Sequence, residues 1–385
     1  MSDPDAVTRG RVDAQTLASY YSRFRVRQRV LLTGHSHQAW PDVGFEGQQQ
    51  AWRDAAELVD DKWDRAFAKA DRVREGFRSI LGDPDGRYAL GANTHELVVR
   101  FLSALPLRQR PRIVTTPFEY HSLRRQLDRL TEEGIDVVKR PPEDIAQAVD
   151  DRTSVVCLSA VLYQSARIVD GLDDIAAACR RHGAHLLVDA YHALNAIPFT
   201  VHGLEDAFIV GGGYKYCQLG EGNCFLRYPV DCTLRPVVTG WFSEFSLLDT
   251  VQRDGVPYGN DRFAGSTYDP TSHYRAACVF DFFSAQDLTP TRLRATNQHQ
   301  VARMVARLEG ADLNPALVRG PDLPLERVAG FLALTCADAA GICAALRTRG
   351  VHADVRGTVL RLGPAPYVSD AQLDQAIDAL VEVVS

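Results

Sequence analysis

A regular alternation of short β-rich runs with amphipathic segments, from Tyr88 to Tyr228, limits this chain's fold more than any other feature. The runs are Tyr88–Ala92, Arg112–Thr116, Ile135–Val138, Ser154–Ser159, His185–Asp189, Ala207–Gly211 and Cys224–Tyr228. Between them Thr94–Leu105, His121–Glu133 and Leu172–His182 carry apolar residues at helical spacing. Strands that alternate with helices imply an α/β domain, with a largely parallel sheet covered by helices.

After Pro257-Tyr-Gly-Asn the pattern changes to long helices, Ser272–Ser284 and Pro290–Leu308. A strand at Phe331–Thr335, a helix at Asp338–Arg349 and a final helix at Asp370–Val384 come next. We therefore expect three parts: residues 1–50 packing onto the domains, a large α/β domain over 51–250, and a smaller C-terminal α+β domain over 251–385. No internal repeat or low-complexity segment interrupts them.

The chain has 385 residues, 45% hydrophobic and 24% charged, which suffices for a large buried core and excludes disorder as the dominant state. With 43 basic and 49 acidic residues the net charge is -6, and no long run has one sign. Nothing in that pattern matches nucleic acid or an anionic membrane surface, so a small molecule is the expected partner. Met1–Gly10 carries acids and lacks an apolar core, and no window approaches the roughly 18 apolar residues of a membrane span, which points to a cytoplasmic protein. The eight cysteines are scattered without a CxxC pair, so neither disulfides nor a structural zinc site is expected.

The chemistry concentrates in four places. Gly211-Gly-Gly-Tyr-Lys-Tyr follows one apolar run and precedes another strand, which sets Lys215 among aromatics and glycines at a sheet edge. There desolvation lowers an amine's pKa and favours the neutral form that a Schiff base needs. A lysine in a glycine-rich turn is more often a surface residue, but three further signals accompany it. Asp189 ends the run His185–Asp189 at the carboxyl edge of the sheet, where open α/β sheets place ligands, and suits pairing with a protonated pyridine nitrogen. His192 lies three residues on, within reach of such a ring's phenolic oxygen. Asn93 and Thr94 open a helix after a strand, where backbone N–H groups and a hydroxyl receive a phosphate dianion or simply cap the helix. Tyr120, at the end of the next strand, is the aromatic best placed to stack on a cofactor ring, ahead of Phe118 or His121.

In this order, phosphate cup, stacking aromatic, ring-nitrogen aspartate and Schiff-base lysine, the sequence resembles the class V aminotransferase group of fold-type I enzymes that use pyridoxal 5'-phosphate (PLP), and within it the kynureninases. The likeness rests on Tyr214-Lys215-Tyr216 with Gly220-Glu-Gly222, on Arg235-Pro to Gly240-Trp241, on Phe263-Ala-Gly-Ser266-Thr267, and on Gly350-Val, Asp354-Val-Arg356, Arg361 and Pro364-Ala-Pro366-Tyr367. It covers the chain from about Leu31 to the C-terminus. It implies the fold-type I PLP-dependent transferase fold, a mostly parallel central sheet with helices on both faces and a smaller C-terminal α+β domain. It implies PLP on Lys215, with Asn93, Thr94, Tyr120, Asp189, His192, Tyr214, Trp241 and Thr267 around the cofactor. Tyr214 or Tyr216 would supply a phosphate contact or a proton in catalysis. By the same resemblance Arg361 binds the substrate carboxylate, for which a bidentate guanidinium is suited. His35, Ser36 and Ser266 would complete the substrate site, and a homodimer would share residues such as Ser266 and Thr267 between its sites. The family's early Gly-Asn-Ser-Leu-Gly is replaced by Gly34-His35-Ser36-His37-Gln38. His35 and His37 have no third ligand at metal-binding spacing, so no metal is expected.

Three activities are compatible with these residues. The first is hydrolytic Cβ–Cγ cleavage of kynurenine or 3-hydroxykynurenine to an anthranilate and alanine. The second is a C–S or β-elimination lyase of specialised metabolism, and the third an aminotransferase. A cysteine desulfurase would need a thiol on the loop that Gly350–Pro366 provides, which has none. A degenerate, non-catalytic binding module is disfavoured by Lys215, Asp189 and Arg361 occurring together.

Overall fold

The computed structural model describes residues 10–247, 261–311, 313–314, 318–320 and 323–384. Seven strands form the central sheet: β1 (Arg87–Gly91), β2 (Arg112–Thr115), β3 (Asp136–Lys139), β4 (Thr153–Ser159), β5 (His185–Asp189), β6 (Phe208–Gly212) and β7 (Cys224–Tyr228). Their spatial order is β1-β7-β6-β5-β4-β2-β3. β6, β5, β4, β2 and β3 run parallel, whereas β7 pairs antiparallel with both β6 and β1. The sheet is therefore mostly parallel with an antiparallel edge.

Successive residues of these strands enter different cores, as the two-residue period of a strand requires. Val155, Cys157, Leu187, Phe208 and Leu226 face one side, where helices α3 (Thr94–Ser103) and α4 (His121–Glu132) bring Leu97, Phe101, Leu123 and Leu127. Val156, Leu158, Val188, Ile209 and Phe225 face the other, packed with α5 (Leu172–His182) and with residues of two earlier helices.

Those earlier helices are α1 (Val43–Leu58) and α2 (Lys62–Leu81). The break expected between residues 50 and 51 falls inside α1, so a continuous helix joins the N-terminal segment to the large domain. α1 lies against α6 (Thr271–Ala285) through small residues: a Cβ on Gly47 would stand 2.6 Å from the Tyr274 carbonyl oxygen. The boundary expected at 250/251 lies outside the described residues.

Beyond α6 and α7 (Pro290–Glu309), strands β8 (Val318–Arg319), β9 (Leu332–Cys336), β10 (Asp354–Arg356) and β11 (Val359–Leu362) make an antiparallel sheet in the order β10-β11-β9-β8. It is accompanied by α8 (Ala339–Thr348) and α9 (Asp370–Val384). The N-terminal segment is threaded between this unit and the large sheet. Val30–Leu31 pairs in parallel with Val351–His352, and the Gly34 N–H donates to the Gly363 carbonyl at 2.7 Å. The Gln38 N–H then donates to the Tyr214 carbonyl at 3.3 Å, beside the candidate lysine.

Among the described residues no helix is long and apolar enough to cross a membrane, and no cluster of His, Cys, Asp or Glu could hold a metal ion. All eight cysteines are free thiols.

Candidate active site

The parallel register brings the chemistry to one sheet edge. Ser159, the last residue of β4, pairs with Asp189, the last of β5, and Asp189 pairs with Val210 of β6. Past β6 the chain runs Gly212-Gly213-Tyr214-Lys215, and these glycines are needed for close approach. A Cβ on Gly212 would stand 2.4 Å from the Tyr191 hydroxyl, and one on Gly213 would stand 2.5 Å from the Leu219 side chain. The turn is thereby drawn onto the sheet edge and Lys215 is set facing Asp189's end of β5.

A cavity of about 490 Å³ opens there. Asn93, Thr94, Tyr120, Asp189, His192, Tyr214 and Lys215 all line it, so seven residues selected from the sequence meet in one space. Ser159, Tyr163 and Tyr191 line it too and were not anticipated. Ser159 had one signal, its place at a strand's carboxyl end next to Asp189. Tyr163 and Tyr191 are brought in by tertiary packing alone.

The electrostatics suit an amine that must lose its proton. The Lys215 Nζ donates to the His35 carbonyl at 3.2 Å and lies over the rings of Tyr214 and Tyr191 at 5.1 and 5.4 Å. Burial, reinforced by the Arg361 charge and opposed by Asp189, brings its pKa down to about 8. Asp189 receives the Tyr191 N–H at 2.8 Å, yet burial still pushes its carboxyl up to about 6. A cationic partner in the cavity would bring it back down. Burial drives His192 well below the usual imidazole range, and among the described residues its Nδ1 has no hydrogen-bond partner. At the other wall Asn93 caps α3, its side chain accepting the Glu96 N–H at 2.9 Å.

Arg361 lies behind this cavity rather than in its lining. It is 3% exposed, donates to the Tyr163 carbonyl at 2.7 Å and to the Asp354 carboxylate, and leaves its Nε without a partner. His35 is fully buried, its ring 4.6 Å from that of Phe331 and its Nε2 3.5 Å from Asp354. Burial takes the imidazole down to about 3, so it is neutral. Burial raises the Asp354 pKa, but His35 and Arg361 outweigh it and hold the carboxyl below its usual range. His35 therefore meets the lysine through its carbonyl, while its ring stays outside the lining. Ser36 bonds to its neighbour His37, 3.2 Å from Nδ1, and His37 stacks on Tyr214 at 4.8 Å. Tyr216 turns away from the cavity: its hydroxyl is buried without a partner, against Gly330.

Ser266 and Thr267 line a second, larger cavity of about 910 Å³, which shares Ala92, Glu221 and Gly222 with the first. Trp241 joins them, its indole N–H donating to the Thr267 hydroxyl at 3.2 Å. These three do not reach the lysine within one chain.

The residues of the smaller cavity fit PLP on their own chemistry. A desolvated amine stands opposite a buried carboxyl that lacks a cationic partner, and a helix N-terminus carries Asn93 and Thr94 where a phosphate would be met.

Comparison with known proteins agrees with that arrangement. Residues 66–309 match the family model for class-V aminotransferases, and the chain belongs to that family. Residues 294–380, which include Arg361, match the kynureninase C-terminal domain, and the chain is a kynureninase-like member. It is 27% identical to a kynureninase from Bacillus cereus over 63% of this chain, a match that spans 57% of that relative's length. To a kynureninase from Burkholderia pseudomallei it is 25% identical over 92% of this chain and 89% of the relative. Among solved structures it is similar to the cysteine desulfurase CsdA from Escherichia coli, with a TM-score of 0.78 and 16% identity over 96% of this chain and 98% of that one. It is also similar to the cystine C-S lyase C-DES in complex with cysteine persulfide, with a TM-score of 0.77 and 16% identity over 93% and 98%. At those identities the structures speak for the fold alone.

Proposed function

We propose that this chain is a PLP-dependent enzyme that cleaves the Cβ–Cγ bond of kynurenine or 3-hydroxykynurenine by hydrolysis, giving an anthranilate and alanine. The observation that carries the reading is the Lys215 amine, its pKa lowered to about 8 between Asp189 and the Arg361–Asp354 pair, at the edge of a cavity lined by tyrosines. Bound PLP supplies an electron sink that acidifies the substrate's Cα–H and lets a bond beyond it break. The chain's own groups do the rest. Lys215 holds the cofactor and, once released, takes the Cα proton at Nζ, with the His35 carbonyl as the acceptor that fixes the free amine. Asp189 would pair with the ring nitrogen and Tyr120 would cover the ring. Arg361, held behind the cavity wall by the Tyr163 carbonyl and Asp354, which keep the guanidinium from turning, is the cation assigned to the substrate carboxylate. The buried walls exclude bulk water around the base.

The kynureninase C-terminal match and the kynureninase relatives support a PLP-dependent enzyme of the kynureninase kind. A C–S or β-elimination lyase is the second reading, since it would use the same buried amine and cavity. A thiol-dependent desulfurase is not. Cys224 is the cysteine that lines the cavity among the described residues, and burial pushes its thiol up to about 12. The placement of Ser266 and Thr267 in a neighbouring cavity, with Trp241 hydrogen-bonded to Thr267, accords with a homodimer in which these residues serve the partner's site.

The test is to mix PLP-loaded protein with L-kynurenine and 3-hydroxy-L-kynurenine and follow anthranilate fluorescence together with alanine release. Turnover supports the reading. Release of pyruvate, ammonia and cysteine persulfide from cystine instead would move the assignment to the lyase, and conversion of the cofactor to its amine form by an amino donor alone would move it to an aminotransferase.

A further inference from the structure

The turn between β2 and α4 carries a carboxyl whose burial has no structural explanation. Glu119 is 2% exposed, and among the described residues no basic side chain pairs with it. Burying an acid in this way is costly, and an apolar residue would serve packing better. Its two oxygens are each held by a hydroxyl. Thr116 donates to Oε1 at 2.5 Å and Ser159 donates to Oε2 at 2.6 Å. Thr116 also receives the Phe118 N–H at 3.1 Å, which closes the turn on itself.

Both ends of this bridge lead into the active cavity. Tyr120, the next residue after Glu119, is part of the cavity lining, and α4 starts directly after it. Ser159 is also in the lining and pairs in register with Asp189, whose carbonyl receives the Ala160 N–H at 2.9 Å. The bridge ties the turn to the sheet, in addition to the turn's own Thr116–Phe118 bond and the edge contact of the Tyr120 ring with Tyr163, centroids 6.4 Å apart.

We propose that Glu119 is a positioning residue for the cofactor ring: by tying the Thr116–Tyr120 turn to the end of β4 through Ser159, it fixes Tyr120 and Asp189 relative to each other in the cavity wall. The inference rests on the reading of this cavity as a PLP site. Burial, opposed by the two hydroxyl bonds and aided by Asp189, brings the carboxyl up to about 7, so a neutral group is compatible with the position. The chargeable groups that face it are Asp189 and the Cys157 thiol. A glutamine keeps one acceptor and one donor at the same places and so preserves the bridge.

The experiment is PLP titration of the apoprotein of wild type, Glu119→Gln, Glu119→Ala and Ser159→Ala. Its readouts are the dissociation constant and the circular dichroism that the asymmetric site induces in the cofactor band, with thermal unfolding of each apoprotein alongside. Glu119→Gln should bind within about threefold of wild type and give the same band. Glu119→Ala and Ser159→Ala should bind about tenfold or more weakly, the worth of one or two hydrogen bonds, with a diminished band. If Glu119→Ala does not fold, the Ser159→Ala and Glu119→Gln pair decides. Unchanged affinity and band in the alanine variants would overturn the proposal, as would a glutamine variant as impaired as the alanine one. Failure of the wild-type apoprotein to bind PLP would instead overturn the functional reading on which it rests.

Discussion

Replacing Lys215 with methionine should stabilise the apoprotein while abolishing covalent attachment of the cofactor. The amine's pKa falls from 10.5 to about 8 because the folded site excludes charge, so the folded state binds its proton less readily than the unfolded chain does. Stability is therefore reduced fully below the folded pKa, and the deficit is relieved as pH rises from about 8 toward 10.5. A displacement of this size corresponds to about 3 kcal/mol at pH 7 and falls to about 1.5 kcal/mol at pH 9.5. Methionine removes the charge at similar volume but forfeits the bond to the His35 carbonyl, about 1 kcal/mol. The net expectation is a gain of about 2 kcal/mol at pH 7 that nearly vanishes at pH 9.5. Urea unfolding of both apoproteins at the two pH values measures it. A Lys215→Met protein that is less stable than wild type by the same amount at both values would refute the argument that desolvation sets the amine's acidity.

Two further outcomes rest on named contacts. Arg361→Ala should raise KM for an α-carboxylate substrate by about 30-fold to 150-fold, the value of a charge-assisted pair, with a smaller effect on kcat; an unchanged KM would place the carboxylate elsewhere. Arg227→Ala should cost about 3–5 kcal/mol by leaving Asp83 buried and unpaired, since both members of this 2.9 Å ion pair are almost fully buried, and denaturant unfolding near wild type would show that the site relaxes or hydrates.

Most of the large sheet was legible because its strands are doubly buried apolar runs that end in punctuating residues. His185–Asp189 and Cys224–Tyr228 fall where their patterns place them, and α5 spans Leu172–His182 as its apolar spacing requires. α1 and α2 were not legible, and the reason is physical. The buried face of α1 includes Gly44, Gly47 and Ala51, and that of α2 mixes Val73, Phe77 and Leu81 with Ala66, Ala70 and Gly76, small residues that carry little hydrophobic signal and let helices approach closely. The candidate site was legible where a residue ends a strand or opens a helix, as Asp189 and Thr94 do, and where Lys215 sits in the glycine-rich turn after a strand. Glu119 and Tyr163 act through partners far away in the chain, Ser159 and Arg361, and spacing along a sequence carries no record of that. His35 shows the limit from the other side: a polar residue in a turn near the site reads as a substrate contact, yet its ring is packed on Phe331 and its backbone carbonyl meets the lysine.

Every step of the proposed chemistry depends on Lys215 as the residue that carries PLP. Loading the purified protein with the cofactor, reducing it with borohydride and mapping the modified peptide by mass spectrometry tests this directly. The expected result is a single pyridoxyl-phosphate adduct on Lys215, absent in Lys215→Met. An adduct on a different lysine, or none at saturating cofactor, would contradict it.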